Sequence, residues 1–155
     1  MKENLRICIL QPDIIWEDPA TNMKKYSKML ENTGPADLFV FPEMFNTGFS
    51  MEPERLKEKM GGESVSWMKK LARERRSAVT GSLIIEEGGK IYNRCLWIFP
   101  DGHINFYDKR HLFSMGGEKK HYSAGNKGLK VNYQGWIFYP LICYDLRFPV
   151  WSRNI

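Results

Sequence analysis

Asp37-Leu38-Phe39-Val40-Phe41, stopped by Pro42 and followed by Glu43, is the stretch whose reading decides the fold. A short apolar run closed by a proline reads as a buried strand, since proline has no N–H to donate to a sheet. Working backwards, Gly34-Pro35 ends a helix that starts after Asp18-Pro19, an N-cap followed by proline at the first helical position. Met23, Tyr26, Met29 and Leu30 recur on one face of that helix. Residues 5–10 form another apolar run and read as a buried strand. Strand, helix and strand in this span suit a right-handed crossover between parallel strands, which predicts α/β architecture. Glu43 then falls just past the C-terminal end of its strand, where open α/β sheets gather their functional groups.

Working forwards, residues 64–76 read as a helix capped by Ser64, with Val65, Met68, Leu71 and Ala72 facing inward. Residues 78–85, the turn Glu86-Glu87-Gly88-Gly89, residues 91–99, the turn Pro100-Asp101-Gly102 and residues 103–108 spell a β-meander. Residues 109–128 are polar and glycine-rich. A loop of that length in a compact domain is more often functional than structural. Two further strands, 129–133 and 136–142, deliver the chain to Cys143, and after Pro149 a helix is promised that has room for barely two turns.

Aromatic residues make up 14% of the 155 positions and charged residues 26%, a composition that excludes intrinsic disorder. The net charge of +5 comes from basic residues interleaved with acids. The densest run, Arg73-Glu74-Arg75-Arg76, closes a helix, where it reads as a solvated face and not as a nucleic-acid footprint. Cys8, Cys95 and Cys143 form no C-x-x-C pair, which indicates neither a zinc knuckle nor a disulfide framework and fits a reducing compartment. His103, His111 and His121 have no metal-ligand spacing, so no metal is expected. The apolar segment near the N-terminus is broken by Gln11-Pro12 and is too short for a membrane span or signal core, so a cytoplasmic location is expected.

Cys143 follows Tyr139-Pro140-Leu141-Ile142 and precedes a polar turn, the setting of a nucleophile at the mouth of a sheet. The competing reading is a buried small hydrophobe, as most free cysteines are, and it fits Cys8 and Cys95 better. Glu43 sits between apolar neighbours in Phe41-Pro42-Glu43-Met44-Phe45, as a general base or as an ordinary loop carboxylate. Lys109, in Tyr107-Asp108-Lys109-Arg110-His111-Leu112, is a candidate active-site cation or a surface charge at a strand end.

Taken together, Pro-Glu-Met-Phe, Asp-Lys-Arg-His-Leu and Cys-Tyr-Asp-Leu-Arg-Phe-Pro follow one another at successive strand ends, and the chain thereby resembles the nitrilase superfamily of carbon–nitrogen hydrolases. The resemblance implies a general base at Glu43, a lysine at Lys109 and a cysteine nucleophile at Cys143. The segment Gly116-Gly117-Glu118-Lys119-Lys120-His121-Tyr122 looks like the family loop with a second active-site glutamate, here Glu118. Lys109 and the Tyr144 backbone N–H would hold the oxyanion, and no cofactor is required.

Phe-Asn-Thr-Gly-Phe-Ser-Met after Glu43 and Arg-His-Leu-Phe-Ser-Met after Lys109 look most like the bacterial omega-amidase branch, which acts on 2-oxoglutaramate. In that branch Arg147 is expected to hold the distal carboxylate of a small amide substrate, unless it pairs with Asp145. Phe45, Phe113 and Met115 are candidates for an apolar substrate wall or for ordinary packing. The implied fold is a four-layer αββα sandwich, incomplete at the C-terminus. Residues 1–155 would be the N-terminal portion of a single domain, forming homo-oligomers once completed, with no nucleic-acid or membrane partner. The alternative is an impaired fragment or interaction module of the same family.

Overall fold

The computed structural model describes residues 3–153. Strands β1 (Ile7–Ile9), β2 (Leu38–Val40), β3 (Ala78–Glu87), β4 (Lys90–Ile98) and β5 (Ile104–Asp108) form one sheet in sequence order. β1, β2 and β3 are parallel, while β3, β4 and β5 are the expected antiparallel meander. Helices α1 (Pro19–Glu31) and α3 (Glu63–Arg75) make the crossovers. The β3–β4 turn places Gly88 and Gly89 at φ 59° and 74°, the doubly positive geometry that two-residue hairpins favour.

Side chains alternate across the sheet, and the two faces have different occupants. Phe39, Val79, Leu83, Leu96 and Ile98 face the helices and pack against Tyr26 and Leu30 of α1 and Val65, Met68 and Ala72 of α3. Each of the Val, Leu, Ile, Met and Phe side chains among them, fully buried, contributes about 1.5–3 kcal/mol of hydrophobic stabilisation. β2 and its exit approach β3 so closely that a Cβ at Gly81 would lie 2.7 Å from the Phe41 Cβ. On the other face, Leu38, Ala78 and Trp97 receive Val131 and Tyr133 from a ribbon of β6 (Val131–Tyr133) and β7 (Trp136–Phe138). The structure thus contains a helical layer, the main sheet and a short second β layer.

Three expectations need correction. The strand at residues 5–10 shrinks to β1, an outer strand with a single neighbour, and Ile7 and Ile9 are 49% and 69% exposed. They lie on the face away from the helices, which is left open beside β1. Ser64 does not cap α3. It lies inside the first turn, and Glu58, six residues upstream, accepts its N–H at 3.0 Å, while Ser64 Oγ accepts from Asn46 Nδ2. Finally, residues 139–142 leave the ribbon and continue without a strand partner to Cys143. A four-residue helix α2 (Pro53–Leu56) precedes α3, and α4 (Pro149–Ser152) closes the described chain.

Candidate active site

Sheet alternation builds the site from one face. Ser82 on β3 and Asn93 and Cys95 on β4 all point away from the helices, and Lys109 follows β5 in register with Asn93, to whose carbonyl its N–H donates at 2.9 Å. Pro42 stops β2, and the chain then turns through Met44, which adopts φ 46° and donates its N–H to Ser82 Oγ at 2.8 Å. This turn aims Glu43 across the end of the sheet. Cys143 lies on a comparably unusual turn. Its φ is 42°, in the left-handed region that side chains rarely adopt, and it opens the 3₁₀ turn Cys143–Arg147. Such backbone persists only where the surroundings hold it, and it concentrates at functional sites.

Lys109 is the hub. Its Nζ donates to Glu43 Oε1 at 2.7 Å and to Glu118 Oε1 and Oε2 at 3.2 and 2.9 Å, and it lies 5.2 Å from the centre of the Phe49 ring. The lysine and Glu118 side chains are 1% and 0% exposed, whereas Glu43 keeps 19%. Asn93 spans the two carboxylates, donating Nδ2 to Glu43 at 2.8 Å and to Glu118 at 3.2 Å. Carboxylates only accept, which fixes the Asn93 amide with its nitrogen towards them. Glu118 also accepts the Phe113 N–H at 2.6 Å, tying the polar loop to the cluster.

Burial alone would pull the Lys109 ammonium down, but Glu43 and then Glu118 hold it above its ordinary value. It therefore stays charged. The Cys143 thiol is shifted upward, first by burial and then by the Glu43 charge; Lys109 opposes this, and a hydrogen bond to Glu43 and the Glu118 charge add to it. A thiol of that kind rests protonated, and Glu43 is its hydrogen-bonded carboxylate neighbour. Cys95, by contrast, is buried, bonded to Thr80 Oγ1 at 3.4 Å and pushed by burial up to about 11, the state of an unreactive thiol.

The structure therefore brings Glu43, Lys109, Glu118 and Cys143 together. Tyr144 follows on the same turn, its ring 5.1 Å from Phe113, and its N–H has no acceptor among the described residues. The Arg147 side chain is exposed and makes no ion pair or hydrogen bond among the described residues. Its expected alternative partner is engaged elsewhere, since Asp145 is bonded to Tyr107, His111 and Ile142.

Phe45 does not line a substrate wall. It is 0% exposed in the helix-side core, with its ring 4.9 Å from Phe41 and 5.4 Å from Tyr26, because the turn at Met44 directs it beneath the sheet. Met115 is 82% exposed on a 3₁₀ turn. Asn93 and Asp145 are the buried polar positions tied to these residues that sequence reasoning missed. The one available signal at Asn93 was a polar residue inside an apolar strand, which must find a buried partner.

A cavity of about 380 Å³ reaches Glu43 and Cys143 and is lined by Ile9, Val40, Trp97 and Leu141 among others. Among the described residues no cluster of His, Cys, Asp and Glu suited to a metal ion occurs, and no helix is long and apolar enough to cross a membrane.

A thiol beside a carboxylate and a buried ammonium thus lies at an α/β sheet end. The chain belongs to the carbon–nitrogen hydrolase family, whose model matches residues 6–155. It is 41% identical to the omega-amidase YafV of Escherichia coli (strain K12), an alignment covering 97% of this chain and 59% of that protein. It is 34% identical to the 2-oxoglutaramate amidase of Bacillus subtilis (strain 168), over 96% of this chain and 59% of the relative. The crystal structure of XC1258 from Xanthomonas campestris, a CN-hydrolase superfamily protein with an arsenic adduct in its active site, matches with a TM-score of 0.95 at 43% identity. That match covers 99% of this chain and 58% of the other. Nit3 of Saccharomyces cerevisiae, a member of the nitrilase superfamily, shares the fold with a TM-score of 0.79 at 23% identity, over 94% of this chain and 58% of its own. The fold is that of the nitrilase superfamily, and this chain spans just under three fifths of the length of these relatives.

Proposed function

We propose that this chain hydrolyses the amide of a small omega-monoamide of a dicarboxylic acid, such as 2-oxoglutaramate, through a thioester on Cys143. The observation that carries the reading is the Glu43–Lys109–Glu118 cluster beside the Cys143 thiol. The similarity to proteins named as omega-amidase and 2-oxoglutaramate amidase supports the substrate class.

An amide carbonyl is a poor electrophile, so the site must supply a nucleophile, a proton acceptor and fixed positive charge where the oxyanion develops. Glu43 takes the thiol proton as Sγ bonds to the amide carbon, and the C=O electrons move onto oxygen. Lys109 and the Tyr144 N–H stabilise that oxyanion. As it collapses, the C–N bond breaks, Glu43 passes its proton to nitrogen, and ammonia leaves a thioester. Water then attacks with Glu43 as base, and the acid departs as the proton returns to sulfur. Glu118 and Asn93 hold Lys109 and Glu43 in place throughout. Arg147, a guanidinium without another partner near this turn, accounts for preference for an acid terminus. The dispersed charge fits a small-molecule substrate better than nucleic acid, and we read the protein as a cytoplasmic homo-oligomer.

A second reading, an impaired fragment or interaction module, is favoured by the open apolar face at Ile7 and Ile9 beside the cavity. Ammonia release from 2-oxoglutaramate decides between them. Wild-type chain should release it, Cys143→Ala should lose it by at least about 10⁴-fold, and a wild-type chain that only alkylates at Cys143 supports the second reading. Arg147→Ala should raise KM for 2-oxoglutaramate by about tenfold or more while leaving a simple aliphatic amide unaffected. Equal effects on both amides would remove Arg147 from substrate selection.

A further inference from the structure

Asp145 is a fully buried carboxylate that the mechanism above does not use. Its Oδ1 accepts the His111 backbone N–H and the His111 Nδ1, each at 2.9 Å. Its Oδ2 accepts the Tyr107 hydroxyl at 2.8 Å and the Ile142 N–H at 3.1 Å. One carboxylate therefore ties the residues two before and two after Lys109 to the residue immediately before Cys143.

The surroundings reinforce this arrangement. Tyr107 Oη accepts the Trp151 Nε1–H at 2.9 Å and the Arg110 N–H at 3.1 Å, so its own proton is committed to Asp145. The His111 ring stacks on Phe148 with centroids 3.7 Å apart and planes 10° off parallel. The Asp145 N–H returns to the Ile142 carbonyl at 3.0 Å. Cys143 is thereby braced from both sides in a left-handed conformation that a non-glycine residue does not hold unaided. The charges that bear on the thiol come from Glu43, Lys109 and Glu118, so the influence of Asp145 is one of geometry.

We propose that Asp145 is a positioning residue, which locks the strand end carrying Lys109 to the turn carrying Cys143 and so fixes the thiol against Glu43 and Lys109. The inference rests on the proposed role of Cys143 as nucleophile, but its main test needs no amide turnover. The measurement is the pH dependence of Cys143 alkylation by iodoacetamide, read on the Cys143 peptide by mass spectrometry in protein shown to be folded.

In Asp145→Asn an amide NH₂ replaces one acceptor and faces donors, so the turn relaxes and the thiol moves away from Glu43, whose charge and hydrogen bond both contribute to its upward shift. The alkylation midpoint should move down towards that of a free thiol. Glu43→Gln made on top of Asp145→Asn should then shift the midpoint by about half or less of what it does alone, the mark of a broken coupling. Where turnover is measured, kcat should fall by about 10²-fold with KM little changed, as expected for a displaced nucleophile.

A merely structural role would lower the folded fraction and leave the midpoint of the folded protein alone. A wild-type midpoint in folded Asp145→Asn, with the Glu43→Gln shift undiminished, overturns the proposal. Should that variant not fold, Tyr107→Phe, which removes one of the four bonds, decides: a smaller downward shift supports the lock, and an unmoved midpoint overturns it. Loss of ammonia release without any change in alkylation would count against the hydrolase reading or its chemistry and not for the lock.

Discussion

Lys109→Met should destabilise the fold by about 3–5 kcal/mol, the usual consequence of removing one partner from a buried ion pair. The reason is a charge count. Glu43 and Glu118 both contact the same ammonium, and Asn93 Nδ2 is the neutral donor between them. Without Lys109, Asn93 is left to separate two carboxylates, one of them wholly cut off from water. The free energy is read from denaturant unfolding, and a double variant isolates its origin. Glu118→Gln added to Lys109→Met removes one of the two charges in nearly the same shape and should restore a large part of the loss. A cost below about 1 kcal/mol, the size of an exposed ion pair, would mean that the cluster is far better hydrated than its burial implies. The same substitution removes the charge that opposes the upward shift of the Cys143 thiol, so alkylation at neutral pH should slow. Arginine is no remedy, because a planar fork does not fit a pocket shaped around a point charge.

What could be read in the sequence follows from which interactions are local. Glu43 and Cys143 were legible because each ends an apolar run, and Pro42 marks one of those ends. The helix starting at Pro19 was legible because its cap is local, Asp18 accepting the Thr21 N–H at 3.0 Å. The cap of α3 was not, since Glu58 reaches it from an irregular segment and nothing in the spacing announces a carboxylate six residues upstream. Whether Phe45 lines a wall or packs in the core was not legible, because its direction depends on the positive φ of Met44, which a non-glycine residue does not advertise. Asp145 entered the sequence reading only as an alternative partner for Arg147, by adjacency. On a 3₁₀ turn, residues two apart point in different directions, and the carboxylate turns inward to Tyr107 and His111 while the guanidinium stays outside. Asn93 joins residues 50 and 25 positions away, a distance that no local pattern spans.

Glu43→Gln should separate two quantities that usually move together, slowing amide turnover by about 10²- to 10⁴-fold while making Cys143 easier to alkylate. The first effect follows from the proposed chemistry. A glutamine amide can still accept from Lys109 and Asn93, which preserves the packing, but it can neither take the thiol proton nor pass one to the departing nitrogen. The second follows from electrostatics. After burial, the Glu43 charge is the largest cause of the upward shift of the thiol, and its hydrogen bond adds to it; Lys109 acts in the opposite sense. Removing a negative charge favours the thiolate, so the alkylation midpoint moves to lower pH and the rate at neutral pH rises. The ammonium, previously shared between two carboxylates, is then balanced by Glu118 alone and bears more strongly on sulfur. An inactive variant with a lowered midpoint identifies Glu43 as the base acting on Cys143. A raised midpoint, or turnover preserved within a few-fold, would mean that another group takes the thiol proton and that Glu43 serves only to hold Lys109.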